Sequence, residues 1–233
     1  MIIGIICAMD EETEYLLSKL SDYTTENIGE FVFYKGKTAE GREVVISRSG
    51  IGRAMSAADT ALMINQFKAD IIINSGIAGA LGAGLKVNDI VFSTGALYHD
   101  ADFTPFGYKL GQMPGQPEQF NADPELIAKA DIAASTITEL KDHIKKGLIV
   151  SGDQFINTPE DKKKILDSFP SAMATECEGA PIAHIAHSFS KPFIIIRSIS
   201  DNADETETDV YDFNTKSAAQ NSAKLVLSLI KLI

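Results

Sequence analysis

Six short apolar runs, IIGIIC (2–7), VVISRSG (44–50), IIINSG (71–76), DIVFSTGA (89–96), GLIVSG (147–152) and PFIIIRSIS (192–200), recur along the chain between turn-forming residues. Runs of this length without polar alternation predict strands buried on both faces. Between them, apolar residues return at helical spacing over 11–20, 53–67, 124–139, 159–168 and 180–189, and a closing helix is expected near 213–232. FVFYKGKTAEGREVVIS adds a hairpin that turns at Glu40-Gly41. This alternation predicts a layered α/β domain with helices on both faces of a central sheet. With 233 residues, 45% of them apolar, the chain suits one domain over 1–233 with a well-buried core.

Charge and cysteine usage narrow the partners. A formal net charge of −11 repels phosphate backbones and anionic lipid, so neither nucleic acid nor a membrane surface is an expected partner; a neutral or cationic small molecule is. No apolar stretch is long enough to span a bilayer, and MIIGIICAMDEE lacks the basic start of a signal peptide, so a cytoplasmic protein is expected. Cys7 and Cys177 lie far apart in apolar surroundings, which suits reduced thiols and gives no zinc spacing.

Carboxylates recur where strands end. Glu12 follows the first strand in AMDEETEYLL, Glu176 and Glu178 flank Cys177 in ATECEGA, and Asp201 closes RSISD. Each has an ordinary reading: acids compensate helix N-termini, and Asp201 suits a cap or an Asx turn. Yet the carboxyl edge of an open α/β sheet is where ligands bind, and this topology can bring all three sites into one pocket. Several acids in one cleft suit a reaction that develops positive charge, as when a glycosidic bond breaks through an oxocarbenium-like transition state. One acid protonates the leaving group, another activates water, and a third holds sugar hydroxyls.

Other motifs fall short. SGIGRAM (49–55) has Met55 where a dinucleotide loop needs its third glycine, and NSGIAGALGAG (74–84) lacks the GK[ST] ending of a triphosphate loop. His184 and His187 share a helix face, but no third ligand stands near them in sequence, and HDAD (99–102) is a common solvated run, so no metal is expected. Carboxylates on either side raise the thiol pKa of Cys177 and argue against a nucleophile. The stretch 99–123, rich in glycine, proline and aromatics, has no periodicity; a connection of this length is expected to form a lid or a subunit contact.

Taken in order, IGIICAMDEE, SGIGRAMSA, IINSGIAGAL, YHDADFTPFGYKLGQMPG, GLIVSGDQFIN, ATECEGAPIAHIA and IIRSISDNAD resemble the 5′-methylthioadenosine/S-adenosylhomocysteine nucleosidases of the purine nucleoside phosphorylase-like superfamily, through nearly the whole chain. The resemblance implies a three-layer α/β/α fold with a central mixed, partly barrel-like sheet, a homodimer, no cofactor, and hydrolysis of the N-glycosidic bond to adenine and a thioribose. Carried over by position, Glu12 matches the acid that activates water, and Asp201, beside Ser200, the acid that protonates adenine N7. Glu178 matches the acid that binds ribose hydroxyls, next to Cys177. Phe155 and Ile156 match the positions that stack on and bond to adenine, Arg197 lies near ribose and water, and Ala78 and Gly79 run along the nucleoside. Met9, Ile51 and Tyr211 match the enclosure of the alkylthio group, while Phe106 and Pro114 match positions that the partner subunit contributes. Three residues depart from the family pattern: Cys177 replaces a methionine, Ile77 a small serine and Tyr211 a phenylalanine. A futalosine-type nucleosidase would keep all three acids. A phosphorylase would need a cationic phosphate site, and a noncatalytic nucleoside-binding relative could dispense with the acids.

Overall fold

In the computed structural model, residues 1–204 and 208–233 are described, with 208–213 described by backbone alone. The six predicted strands become β1 (Ile2–Cys7), β4 (Glu43–Arg48), β5 (Ile71–Ala80), β6 (Ile90–Tyr98), β8 (Ile144–Ser151) and β10 (Phe193–Asp201), and the stretch before Cys177 forms a further strand, β9 (Ala172–Glu176). The predicted helices become α1 (Asp10–Leu17), α2 (Arg53–Asn65), α3 (Pro124–Thr136), α4 (Pro159–Ser168), α5 (Gly179–Ser188) and α6 (Thr208–Ile230). The hairpin is β3 (Phe31–Thr38) with β4, and its turn is closed by Gly41 N–H donating to the Thr38 carbonyl at 2.8 Å. Gly41 has φ +80°, a conformation that glycine adopts without steric cost.

Two departures from the sequence reading are local. The helix expected over 11–20 stops at Leu17, because the chain turns into an additional strand, β2 (Leu20–Ile28), which pairs antiparallel with β3. And β5 does not end at Gly76 but runs on to Ala80, buried at every residue. The excursion 99–123 holds only a 3-10 turn, Thr104–Phe106, and the two-residue β7 (Phe120–Asn121).

That long β5 organises the molecule. Its first half pairs in parallel with β1, and its end pairs antiparallel with β9, while β10 runs alongside it from Ile72 to Gly79. Since β10 also pairs β6, β6 pairs β8 and β8 pairs β9, the strands β5, β10, β6, β8 and β9 close a ring, and β1, β4, β3 and β2 extend from it as an open sheet. The mixed, partly barrel-like sheet expected from the family resemblance is what the chain forms.

Helices cover both faces of the open part. Ile3, Ile5 and Cys7 of β1 face a cluster with Leu16 of α1, Leu126 and Ala130 of α3, and Leu225 and Leu229 of α6. Ile6 turns the other way, to Met63 of α2 and Ile182 and Ala186 of α5. Burial of each of these isoleucine, leucine or methionine side chains stabilises by about 1.5–3 kcal/mol, and two-sided burial is why β1 reads as an unbroken apolar run. α4 covers the ring near its end through Ile165 and Phe169.

Candidate active site

The carboxyl ends of β1, β5, β9 and β10 meet at one cavity of about 370 Å³. Twelve residues expected at the site line it: Met9, Glu12, Ile51, Ala78, Gly79, Phe155, Ile156, Cys177, Glu178, Arg197, Ser200 and Asp201. Phe106 and Pro114 do not line it; Phe106 is 79% exposed on the 99–123 excursion. Tyr211 lies outside the residues whose side chains are described. Sequence reasoning missed Gly52, Asp153 and Gln154 at the cavity wall, although they lie within the SGIGRAM and SGDQFIN stretches.

Glu12 sits in the first turn of α1, and its helix-start role is real, since Oε2 accepts from the backbone N–H of Met9 at 3.1 Å and of Ala8 at 2.7 Å. Its other oxygen turns to the cavity side, accepting from Ile77 N–H at 3.0 Å, with Arg197 Nη1 3.8 Å away. Burial raises the Glu12 pKa, against the lowering effects of Arg197 and the three N–H donors. A carboxylate fixed in place yet inclined to take a proton has the properties of a general base.

Glu176 and Glu178 divide the work around the start of α5. Glu176 accepts from the N–H groups of Glu178 at 3.0 Å and Gly179 at 2.7 Å, from Ser151 Oγ, and from Arg197 Nη2. Its charge is therefore matched by a helix N-terminus and a guanidinium. Glu178 accepts from Gly52 N–H at 2.8 Å and from Arg197 Nη2 at 3.1 Å. Burial pushes its pKa up to about 7, with Glu176 adding to the rise and Arg197 opposing it. Arg197 itself is 1% exposed. Burial works against its charge, but Glu176, Glu178 and Glu12 outweigh that and hold it more firmly protonated than usual.

Asp201 ends β10. Its Oδ1 accepts from Ala203 N–H at 2.8 Å, the Asx turn anticipated from sequence, and Oδ2 accepts from Ser200 Oγ at 2.7 Å. Both local readings of the acids were thus right about the turns and helix starts, and the same groups also line the cavity. Cys177 is half-buried, and its thiol is pushed up to about 12 by burial and then by Glu178 and Glu176, so a thiolate is disfavoured as expected. His184 is occupied elsewhere, with Nδ1 3.2 Å from Tyr98 Oη and its ring stacked 4.7 Å from Phe120. Among the described residues no cluster of three His, Cys, Asp or Glu side chains is arranged to hold a metal ion, and no helix is long and apolar enough to cross a membrane.

The chain is an α/β protein whose mixed sheet closes a five-strand ring with an acid-rich pocket at its carboxyl edge, and comparison with known proteins gives this architecture a family. The chain belongs to the phosphorylase superfamily, whose family model matches residues 2–231. Within it, the chain is 46% identical over 231 residues to the 5′-methylthioadenosine/S-adenosylhomocysteine nucleosidase of Staphylococcus saprophyticus, an alignment covering 99% of this chain and 100% of that protein. The crystal structure of the Neisseria meningitidis 5′-methylthioadenosine/S-adenosylhomocysteine nucleosidase in complex with methylthio-immucillin-A superimposes with a TM-score of 0.96 at 41% identity, covering 100% of this chain and 99% of that one. Futalosine hydrolase of Helicobacter pylori strain 26695 matches with a TM-score of 0.92 at 33% identity, covering 100% and 98%. The resemblance read from the sequence motifs is borne out.

Proposed function

We propose that the protein hydrolyses the N-glycosidic bond of 5′-methylthioadenosine and S-adenosylhomocysteine, releasing adenine and the free thioribose. The observation that carries this reading is the convergence of Glu12, Glu178 and Asp201 on one cavity whose only lining cation among the described residues, Arg197, is already paired with Glu176 and Glu178. Such a pocket favours a sugar that becomes positive, and it offers no free cation for a phosphate co-substrate, which speaks against a phosphorylase.

The geometry supports the following chemistry. Glu12 takes a proton from a water molecule as that water's oxygen bonds to the ribose C1′. Asp201, oriented by Ser200 and Ala203, gives a proton to adenine N7 as the C1′–N9 bond breaks and its electron pair leaves with the base. Glu178 accepts hydrogen bonds from the ribose hydroxyls, and its charge, with that of Glu12, stabilises the cationic sugar. Phe155, 58% exposed at the cavity mouth, gives adenine a face to stack on, and Ile156 offers its backbone to the base edge. Met9 and Ile51 enclose the alkylthio group. The reaction needs no cofactor, and a cytoplasmic protein suits its substrates.

The protein acts as a homodimer in this reading, with the 99–123 excursion completing the partner's site through Phe106 and Pro114; both are exposed, and neither reaches its own chain's cavity. The similarity to a futalosine hydrolase supports a second reading, cleavage of the same bond in a futalosine-type nucleoside. Incubation with 5′-methylthioadenosine, with and without phosphate, tests the proposal. Adenine and a reducing methylthioribose at equal rates in both are expected; a phosphorylated sugar, or cleavage of futalosine alone, would overturn it.

A further inference from the structure

Arg53 opens α2 and takes no part in the chemistry proposed above, yet its side chain is fully engaged. Nη1 and Nη2 donate to the two oxygens of Asp100 at 2.8 Å each, and Nε donates to Asp153 Oδ2 at 2.9 Å. Its backbone N–H donates to the other oxygen of Asp153 at 3.0 Å, and the guanidinium lies 5.7 Å from the centre of the Tyr98 ring. Asp100 stands at the start of the 99–123 excursion. Asp153 stands at the start of the segment that carries Phe155 and Ile156. The residue before Arg53, Gly52, donates to Glu178 at 2.8 Å, and its φ of +98° brings its backbone close to Asp153, whose Oδ1 would be 3.4 Å from an added Cβ. One residue thus joins three segments, its partners lying 47 and 100 positions away.

The side chains of Arg53, Asp100 and Asp153 are 31%, 22% and 51% exposed. Ion pairs at that level of solvent access contribute little to global stability. What a guanidinium supplies there is geometry, because its planar fork fixes two carboxylates at once, which an ammonium group does not. We propose that Arg53 is a positioning residue, which clamps Asp100 and Asp153 so that the Phe155–Ile156 segment is held in register with the 99–123 excursion and the base side of the cavity is assembled before substrate arrives. The inference rests on the nucleosidase reading, since it takes Phe155 and Ile156 to meet adenine.

The test compares wild type with Arg53→Gln, Arg53→Lys and Asp100→Ala, measuring kcat and KM for 5′-methylthioadenosine, adenine binding by calorimetry, and thermal midpoints. Arg53→Gln is expected to raise KM and the adenine Kd about tenfold, with a smaller change in kcat and an unshifted pH profile, and Arg53→Lys to recover only part of the loss. Salt gives a readout that a merely structural role would not move. The substrate carries no net charge, so a wild-type KM that rises with ionic strength while that of Arg53→Gln stays flat reports the clamp. Unchanged KM and Kd in Arg53→Gln overturn the inference; should that variant fail to fold, unchanged values in Asp100→Ala do so. A wild-type protein that neither cleaves 5′-methylthioadenosine nor binds adenine overturns the underlying reading, and the inference falls with it.

Discussion

Nη1 of Arg197 and Oε1 of Glu12 stand 3.8 Å apart over the backbone of Gly76, where an added Cβ would lie 2.2 Å from the first and 2.4 Å from the second. The buried pair exists only because that strand position has no side chain. Gly76→Ala should therefore displace both groups and lower kcat by about 10² or more, together with some loss of stability, since displacing a catalytic group by about 1 Å costs that much. Turnover of 5′-methylthioadenosine alongside a urea melt checks it; an active Gly76→Ala protein would show that Glu12 tolerates relocation.

Replacing Glu12 by Gln or Asp201 by Asn keeps shape and removes proton transfer. Each should lower kcat by about 10²–10⁴ while leaving adenine binding within a fewfold of wild type. Single-turnover assays with calorimetry separate the two effects, and near-normal turnover in either variant refutes its assigned role.

Glu178 titrates near 7, and burial raises Glu12 as well. The proposed reaction needs both as carboxylates and Asp201 protonated, so kcat/KM should rise with pH up to about 7, an acid limb well above the ordinary carboxylate range, and fall again once Asp201 loses its proton. Glu178→Gln should lower the maximum and remove the part of the acid limb nearest 7. The same shifts act on stability with the opposite sense: because the folded state favours the protonated acids, raising pH from about 4.5 to 7 weakens the free protein.

Asp59, on α2, is fully buried; Ser47 Oγ donates to its Oδ1 at 2.7 Å, and its Oδ2 has no partner among the described residues. Burial lifts its pKa to about 7 against the lowering effect of Ser47. Its ionisation therefore costs stability progressively as pH rises from about 4 to 7, on the order of a few kcal/mol at full extent. Asp59→Asn keeps an acceptor for Ser47 and cannot ionise, so its advantage over wild type should grow across that window and then hold constant. Urea titrations at pH 5, 6, 7 and 8 decide; a difference independent of pH would contradict the assignment.

If Phe106 serves the partner's cavity, Phe106→Ala and Glu12→Gln damage a site from opposite subunits. Mixing the two inactive homodimers under exchange conditions should regain activity, because one site of each hybrid draws Glu12 and Phe106 from intact sources. No recovery, with exchange confirmed by mass, would place Phe106 outside the site.

Strands such as β1 and β10 were plain because burial on both faces demands unbroken apolar residues, and the turn at Glu40-Gly41 because glycine marks it. β2 was missed because LSDYTTENI is exposed at every residue but the first and last, and so shows no apolar alternation. The strand expected over 71–76 runs on to Ala80, an extension hidden because glycines break the apolar run, and those glycines serve close approach, Gly76 to Arg197 and Glu12, Gly79 to Asp201 and Ala203. For the site, the acids announced themselves by their place after strands, and the family motifs supplied their roles. Asp153, Gly52 and Arg53 sit in the same motifs but were given no role, because what they do depends on bonds to residues 47 to 126 positions away.

The closure of β5, β10, β6, β8 and β9 into a ring has a consequence for how copies of the protein meet. A sheet that seals on itself at one end has no terminal strand there to offer to a neighbour, which leaves β2 as the one long free edge among the described residues. That edge carries Asp22 and Glu26 on a polar, solvated strand, and a second copy approaching it brings the same charges. The missed strand, uninformative about chemistry, is the guard against polymerisation by strand addition in a chain whose interior is otherwise rich in β-forming isoleucine and valine.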